Sequence, residues 1–138
     1  MNFEYQVEGG DFTNAGSTSS IVKKMLKQLG VSPEIIKHTV VALYEAEVNI
    51  VAHADRGIIY VDLDEDKIFI RLVDEGKGIP DIEQAMQKGF STASVKVREM
   101  GFGAGMGLPN IKDNSDKLNI TSVPGKGTTV EITNYFNK

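Results

Sequence analysis

Residues 101–110 read Gly-Phe-Gly-Ala-Gly-Met-Gly-Leu-Pro-Asn, with glycine at every second position up to Gly107. Alternating glycines directly before a helix can present several backbone N–H groups to phosphate oxygens, with help from the helix dipole. The run is not a Rossmann fingerprint, because it does not directly follow a strand in a βαβ unit, and it is not a Walker A loop, because no Gly-Lys-Ser/Thr follows. The alternative is a flexible loop, but flexibility does not require glycine at every second position.

The segments on either side of this run predict the fold. The apolar periodicity and turn residues predict two long helices, two short helices and five strands. The helices are expected at 17–29, 33–54, 81–88 and from Leu108 onward, and the strands at 3–7, 58–63, 67–73, 118–123 and 128–133. Two early helices followed by strands, with a glycine-rich crossover between strand pairs, predict an α/β (α+β) two-layer sandwich. We expect a mixed, mostly antiparallel sheet with the helices on one face.

Composition bounds the class of protein. The chain has 138 residues and a mass of 15.1 kDa, which predicts a single domain over residues 1–138. A net charge of -4 argues against a nucleic acid or an anionic membrane as the main partner. The absence of cysteine excludes a thiol nucleophile and cysteine-ligated metal sites. No apolar run approaches the roughly 20 residues of a membrane span, and no secretory signal is visible. A cytoplasmic location is therefore expected.

Two polar residues stand one turn apart on the second predicted helix. Glu45 and Asn49 are spaced so that a carboxylate and an amide oxygen point to the same side. An amide oxygen suits Mg²⁺, and a neighbouring carboxylate can serve as a general base. The alternative is a solvated polar face with Glu47 beside it, which taken alone is the commoner arrangement.

Two further segments carry polar residues at strand ends. Asp74-Glu75-Gly76-Lys77-Gly78-Ile79 follows a predicted strand, where an aspartate can accept a hydrogen bond from an exocyclic amine and glycines allow close approach of a flat ring. Residues 124–129, Pro-Gly-Lys-Gly-Thr-Thr, precede the last strand, and Thr128 adds a hydroxyl near the same pocket. Each segment alone is also typical of a plain turn.

The order and spacing of the four segments are more specific than any one of them. Glu-x-x-x-Asn, Asp-x-Gly-x-Gly, Gly-x-Gly-x-Gly-Leu and Gly-x-Gly-Thr resemble the four nucleotide-binding boxes of the GHKL ATPase superfamily over residues 15–133. The resemblance implies the Bergerat ATP-binding fold. The chain has no room for the phosphoacceptor hairpin of a sensor histidine kinase. A module of this length is most similar to the anti-sigma factor and stress-switch serine/threonine kinases.

The resemblance implies a role for each matched residue. Asn49 would coordinate Mg²⁺, Glu45 would act as general base, and Asp74 would accept from the adenine amino group. The resemblance also implies an ATP lid at about residues 80–106. Two further sets of residues complete the implied site, one around the base and one around the phosphates. Gly76, Gly78, Ile79 and Thr128 would surround the base, and Gly103, Ala104, Gly105, Met106, Gly107 and Leu108 would wrap the phosphates.

The function implied is a Mg-ATP-dependent protein serine/threonine kinase that also binds its partner as a regulatory switch. ATP or ADP and Mg²⁺ are the implied cofactors. The implied partner is a sigma factor or a small antagonist protein with a target serine, and a homodimer through the first strand and first helix follows by analogy. The alternative is a nucleotide-gated binding module without significant kinase activity, which substitution of Glu45 would distinguish. Slow ATP hydrolysis driving a conformational cycle is disfavoured, because no transducer domain is present.

Overall fold

The helices and strands follow the predicted order in the computed structural model, which describes residues 1–79, 81–86 and 107–137. A 3₁₀ turn at Phe12–Asn14 is the one addition within these ranges. The strands are β1 (Asn2–Glu8), β2 (Ala54–Leu63), β3 (Lys67–Gly76), β4 (Lys117–Val123) and β5 (Gly127–Tyr135), and the helices are α1 (Ser17–Gln28), α2 (Pro33–His53), α3 (Ile82–Ala85) and α4 (Gly107–Asp113).

Local sequence signals set the junction between the two long helices. Gly30 has a φ of 76° just beyond the end of α1, where a left-handed residue is needed and glycine adopts it without strain. The hydroxyl of Ser32 then accepts from the Ile35 N–H at 3.5 Å, and Pro33 occupies the first turn of α2. The predicted start of α2 is therefore confirmed.

The sheet has the order β1-β2-β3-β5-β4. All four pairings between the described strands are antiparallel, whereas we expected a mixed, mostly antiparallel sheet. The reason is the position of β5. The crossover makes β3 and β4 run in the same direction, but β5 lies between them and pairs with both, so the two parallel strands are not neighbours.

One face of the sheet packs against the helices. Along β5 every second residue is buried, which is the alternation that a half-covered strand requires. The buried residues of the sheet meet apolar residues of α1 and α2, including Leu26, Leu43 and Ile50, in a single core cluster. Tyr60 of β2 is exposed, in contrast to its buried neighbours Ile59 and Val61. The predicted arrangement of helices on one face of the sheet is confirmed.

The long helix α2 is the centre of the helical layer. It contacts α1 on one side and α4 on another, and it also packs on the sheet. In the described ranges, no helix is both long and apolar enough to cross a membrane.

Candidate functional site

The first part of the site lies between α2 and the start of α4. Glu45 and Asn49 are half-buried residues of α2. Asn110 of α4 donates from Nδ2 to Oε1 of Glu45 at 3.4 Å. Gly107, the first residue of α4, lies so close to Asn49 that a Cβ there would be 3.1 Å from Oδ1. The glycine-rich run therefore ends against the amide that the resemblance assigns to Mg²⁺.

Burial increases the affinity of the Glu45 carboxylate for a proton. Desolvation raises the pKa of the Glu45 carboxyl above its ordinary value, and the hydrogen bond from Asn110 partly opposes this. A carboxylate with a raised pKa is a stronger base than an exposed one once it is ionised. This environment is suited to accepting a proton from a hydroxyl.

The second part of the site lies at the ends of β3 and β5. Oδ1 of Asp74 accepts from the Thr128 backbone N–H at 3.0 Å. Burial raises the pKa of the Asp74 carboxyl, and this hydrogen bond lowers it by a smaller amount. Within the part of the chain that the structure describes, no residue donates to the Asp74 Oδ2 atom, so this oxygen retains its capacity to accept. The sequence predicted Asp74 just after the strand, whereas the residue lies inside β3.

Glycine is required at two positions beside Asp74. A side chain at Gly127 would collide with the backbone carbonyl of Asp74. Gly78 has a φ of 75°, and a Cβ there would be 2.6 Å from the Val123 carbonyl oxygen. The chain segments at the ends of β3, β4 and β5 are therefore in close backbone contact at this site.

A network of hydroxyls holds the same strand ends together. Ser122 Oγ accepts from the Ile79 N–H at 2.7 Å and lies 2.9 Å from the Thr128 hydroxyl. The N–H of Gly76 donates to the Lys126 carbonyl at 3.0 Å. Gly76, Ile79 and Thr128 thus belong to one connected cluster with Asp74, and Ser122 is a member that no sequence motif indicated.

Most of the predicted phosphate loop falls outside the described residues. This applies to Gly103, Ala104, Gly105 and Met106, and to most of the expected lid at 80–106. Gly107 and Leu108 are described, and Leu108 is buried in the core cluster. Asn110 was not predicted, although it is the last residue of the quoted glycine-rich run.

The structure corrects the interpretation of Glu47. The alternative considered for this helix placed Glu47 on a solvated face, but the residue is only 1% exposed. Its carboxylate accepts from the backbone N–H groups of Gly16, Thr18 and Ser19 at 3.0, 3.2 and 3.0 Å, and from the Ser19 hydroxyl at 2.8 Å. Glu47 therefore fixes the first turn of α1 to α2, a contact between elements that helical spacing does not reveal.

His53 lies one turn beyond Asn49 at the end of α2. Burial lowers the pKa of His53, and the charge of Lys77 lowers it further. Among the described residues, no group of three or more His, Asp or Glu side chains is arranged to hold a metal ion.

The site thus combines a helical layer on one face of an antiparallel sheet with polar residues at α2, β3 and β5. The family profile described as "Histidine kinase-like ATPase domain" matches residues 11–134. The chain belongs to this family, and the predicted resemblance is confirmed.

Curated relatives refine the comparison. The chain is 36% identical over 130 residues to an anti-sigma F factor of Caldanaerobacter subterraneus subsp. tengcongensis, covering 91% of this chain and 87% of that protein. It is 32% identical over 118 residues to the serine/threonine-protein kinase RsbT of Bacillus subtilis, covering 83% of each.

A solved structure shows the same fold. The chain resembles a crystal structure of the RsbU and RsbW domains of a Mycobacterium tuberculosis protein, with a TM-score of 0.64 and 15% sequence identity. The match covers 96% of this chain and 31% of that one. The comparison therefore bears on the fold alone.

Proposed function

We propose that the chain is a Mg-ATP-dependent serine/threonine kinase that regulates a partner protein by phosphorylation. The observation that carries the proposal is the half-buried Glu45 carboxylate, one helical turn before Asn49 and in contact with α4. The relatives named anti-sigma F factor and RsbT support a partner-switching regulator of this kind. A sigma factor or a small antagonist protein with a target serine is the proposed partner.

The described residues fit a nucleotide. Asp74 has one oxygen held by Thr128 and a second oxygen able to accept from the adenine amino group. We propose that the backbone of Gly76, Gly78 and Ile79, which follows Asp74 in the chain, would lie beside the flat ring. We propose that Asn49 holds Mg²⁺, which would neutralise charge on the ATP phosphates. Gly107 and Leu108, with residues 103–106, would supply N–H groups to those phosphates.

Glu45 is the proposed general base. Its Oε atom takes the proton of the serine hydroxyl as the serine oxygen bonds to the γ-phosphorus and the bond from that phosphorus to the bridging oxygen breaks, releasing ADP. Burial supports this role, because it raises the pKa of Glu45 and strengthens the ionised carboxylate as a base. The rate of transfer is expected to fall as the pH drops through that raised pKa, because the base becomes protonated.

The test combines calorimetry with a phosphotransfer assay. Titration with ATP and ADP, with and without Mg²⁺, measures binding to the chain and to Asn49→Ala. Asn49→Ala is expected to weaken Mg-dependent binding by roughly tenfold or more. Transfer of labelled phosphate to a serine-bearing protein encoded in the same operon measures activity. Glu45→Gln is expected to lower the transfer rate by roughly 10²- to 10⁴-fold, with ATP affinity changed by less than about threefold.

Exposed Glu75 provides the matched control for Glu45. It lies next to Asp74 and pairs with Arg56 at 2.8 Å, so Glu75→Gln removes a nearby charge without touching the proposed base. Transfer by Glu75→Gln should stay within about twofold of the parent, because exposed pairs contribute little. An unchanged transfer rate in Glu45→Gln, or no phosphorylation of any serine protein with ATP binding intact, would contradict the kinase proposal.

A nucleotide-gated binding module is the second candidate. The observation in its favour is the hydrogen bond from Asn110 to Glu45, which gives the carboxylate a structural role between α2 and α4. Because α4 directly follows the predicted lid, nucleotide binding would alter this contact and an adjacent protein surface. Partner regulation that survives in Glu45→Ala without turnover would favour this candidate.

A further inference from the structure

A groove runs between α1 and α2 and ends at Glu45. It consists of two adjoining hollows of about 370 and 580 Å³, which share Lys23, Val40 and Val41 as lining residues. Glu45 and Tyr44 line the hollow of 370 Å³ at one end of the groove, and Pro33 and Val31 line the hollow of 580 Å³ at the other end. We call this surface the α1–α2 groove.

The α1–α2 groove has an apolar floor and a basic rim. Ile36 is buried at the floor, and Val31, Val40 and Val41 are half-buried along it. Lys23, Lys27 and Lys37 are exposed around the opening. In the described part of the chain, none of these three lysines forms a salt bridge. The rim is thus a local positive patch on a chain whose net charge is -4.

The end of the groove beside Glu45 is preformed. Gly16 and Ser19 line this end, and their backbone N–H groups are held by the buried carboxylate of Glu47. Gly16 also packs closely against the Tyr44 ring, because a Cβ there would lie 2.9 Å from Cε1. A partner therefore meets a surface whose shape is set by internal hydrogen bonds, which lowers the entropy lost on binding.

The length and charge of the groove define the occupant. Pro33 and Glu45 are twelve positions apart on α2, so the groove is about 18 Å long, the length of about three helical turns. We propose that it docks an acidic amphipathic helix of the protein partner, with apolar residues on the floor and acidic residues on the lysine rim. The inference rests on the proposed function, because the groove ends at the carboxylate assigned as base.

Charge argues against a second copy of this chain in the groove. A two-fold symmetric pair would bring the same surface together from both copies. The exposed lysines Lys23, Lys27 and Lys37 of one copy would then face those of the other, and like charges in contact oppose association. An acidic partner is attracted by the same three residues.

The experiment uses two designed peptides as probes for the intact chain. Each has 14 residues, capped ends and leucine at helical i, i+3 and i+4 spacing, and one carries glutamate where the other carries lysine. Fluorescence anisotropy measures affinity with and without Mg-ATP, and amide NMR shifts locate the binding site. The glutamate peptide is expected to bind, with shifts at α1 and α2, and to bind more weakly at high salt.

Two lysines of α1 form a matched pair of variants. Lys27→Glu and Lys24→Glu change the net charge equally and both residues are exposed, but only Lys27 lines the groove. Lys27→Glu is expected to weaken binding of the glutamate peptide by roughly three- to tenfold, and Lys24→Glu by less than about twofold. Reversal of Lys23, Lys27 and Lys37 together is expected to weaken it by more than about 30-fold.

Several results would overturn the docking proposal. These are no binding of the glutamate peptide, equal binding of the lysine peptide, equal effects of Lys27→Glu and Lys24→Glu, or shifts centred outside the groove. Concentration-dependent shifts at the groove without peptide would instead identify a second copy as the occupant. The peptide assay requires no phosphate transfer, so the two proposals can fail separately. Failure of the kinase proposal alone would leave peptide affinity intact while no protein is phosphorylated.

Discussion

The two sides of α2 are held in different ways. Towards α1, the carboxylate of Glu47 is buried and accepts four hydrogen bonds of 2.8–3.2 Å. Towards α4, the half-buried carboxylate of Glu45 accepts a single 3.4 Å bond from Asn110 among the described residues. Two glutamates of one helix, two residues apart, therefore occupy opposite kinds of environment.

The difference indicates which contacts can change during function. A fully satisfied buried carboxylate is costly to disturb, because each released N–H group would remain unpaired away from water. A carboxylate with one long hydrogen bond can exchange that partner for another at little cost. The α1 side of α2 is thus held rigidly, and the α4 side carries the proposed base Glu45.

Removal of the buried carboxylate should have the largest effect on stability. Glu47→Ala leaves the N–H groups of Gly16, Thr18 and Ser19 without their acceptor, and we expect a loss of about 3–5 kcal/mol in the free energy of unfolding. Urea denaturation measures the change. Glu45→Ala is the comparison and should cost less than about 1 kcal/mol. Equal losses in the two variants would show that the two sides are held alike.

The glycine that precedes α1 provides a second test. Gly16 has a φ of 91° and lies against the Tyr44 ring, whereas Gly30 has a φ of 76° and open space where a Cβ would lie. Both alanine variants carry the strain of a left-handed residue, about 1 kcal/mol. Gly16→Ala should cost roughly 1 kcal/mol more, because Tyr44 must move. Similar thermal unfolding curves for the two variants would contradict a tight contact at Gly16.

The contact on the α4 side is expected to be weak. Asn110→Ala removes the hydrogen bond to Glu45 and should cost less than about 1 kcal/mol of unfolding free energy. That hydrogen bond lowers the pKa of Glu45 against the effect of burial. The variant should therefore show a still higher pKa for Glu45, measured by NMR titration of its carboxyl carbon. A lower pKa of Glu45 in this variant would show that a contact other than the Asn110 hydrogen bond controls this pKa.

The smallest effect should appear in the pH dependence of stability. Burial raises the pKa of folded Glu45 above its ordinary value of 4.5, so the folded chain binds this proton more tightly than the unfolded chain does. This contribution is fully present below the ordinary value and is lost as the pH rises through the folded pKa. Glu45→Gln should flatten that decline in urea unfolding measured across this range, and an unchanged decline would contradict the effect of burial on Glu45.

Much of the fold was predictable because local signals and tertiary packing agree. Gly30 ends α1, Ser32 and Pro33 begin α2, and the acidic turn between β2 and β3 is closed by the Asp64 carboxylate, which accepts from the N–H of Asp66 at 2.8 Å. The apolar alternation of β5 appears directly in its burial. These features depend on residues close together in sequence.

The parts that were missed depend on residues far apart in sequence. Glu47 and Ser19 are 28 positions apart, and Ser122 and Ile79 are 43 apart. Helical spacing alone could not tell Glu47 from a solvated glutamate, because its partners lie on another helix. The candidate site was predicted from the spacing of whole motifs, whereas the contacts of Asn110 and Ser122 are evident only in the folded chain.

The place of β5 between β3 and β4 also bears on how quickly the chain folds. The β2–β3 hairpin can form by closing a turn of three residues, whereas the contact between Asp74 and Thr128 must close a loop of 54 positions. Loop closure of that length costs roughly 3–4 kcal/mol of chain entropy before any pairing offsets it. We therefore expect the β2–β3 hairpin to assemble early and β5 to pair with β3 late. The contact between Asp74 and Thr128 would then be among the last parts of the molecule to form.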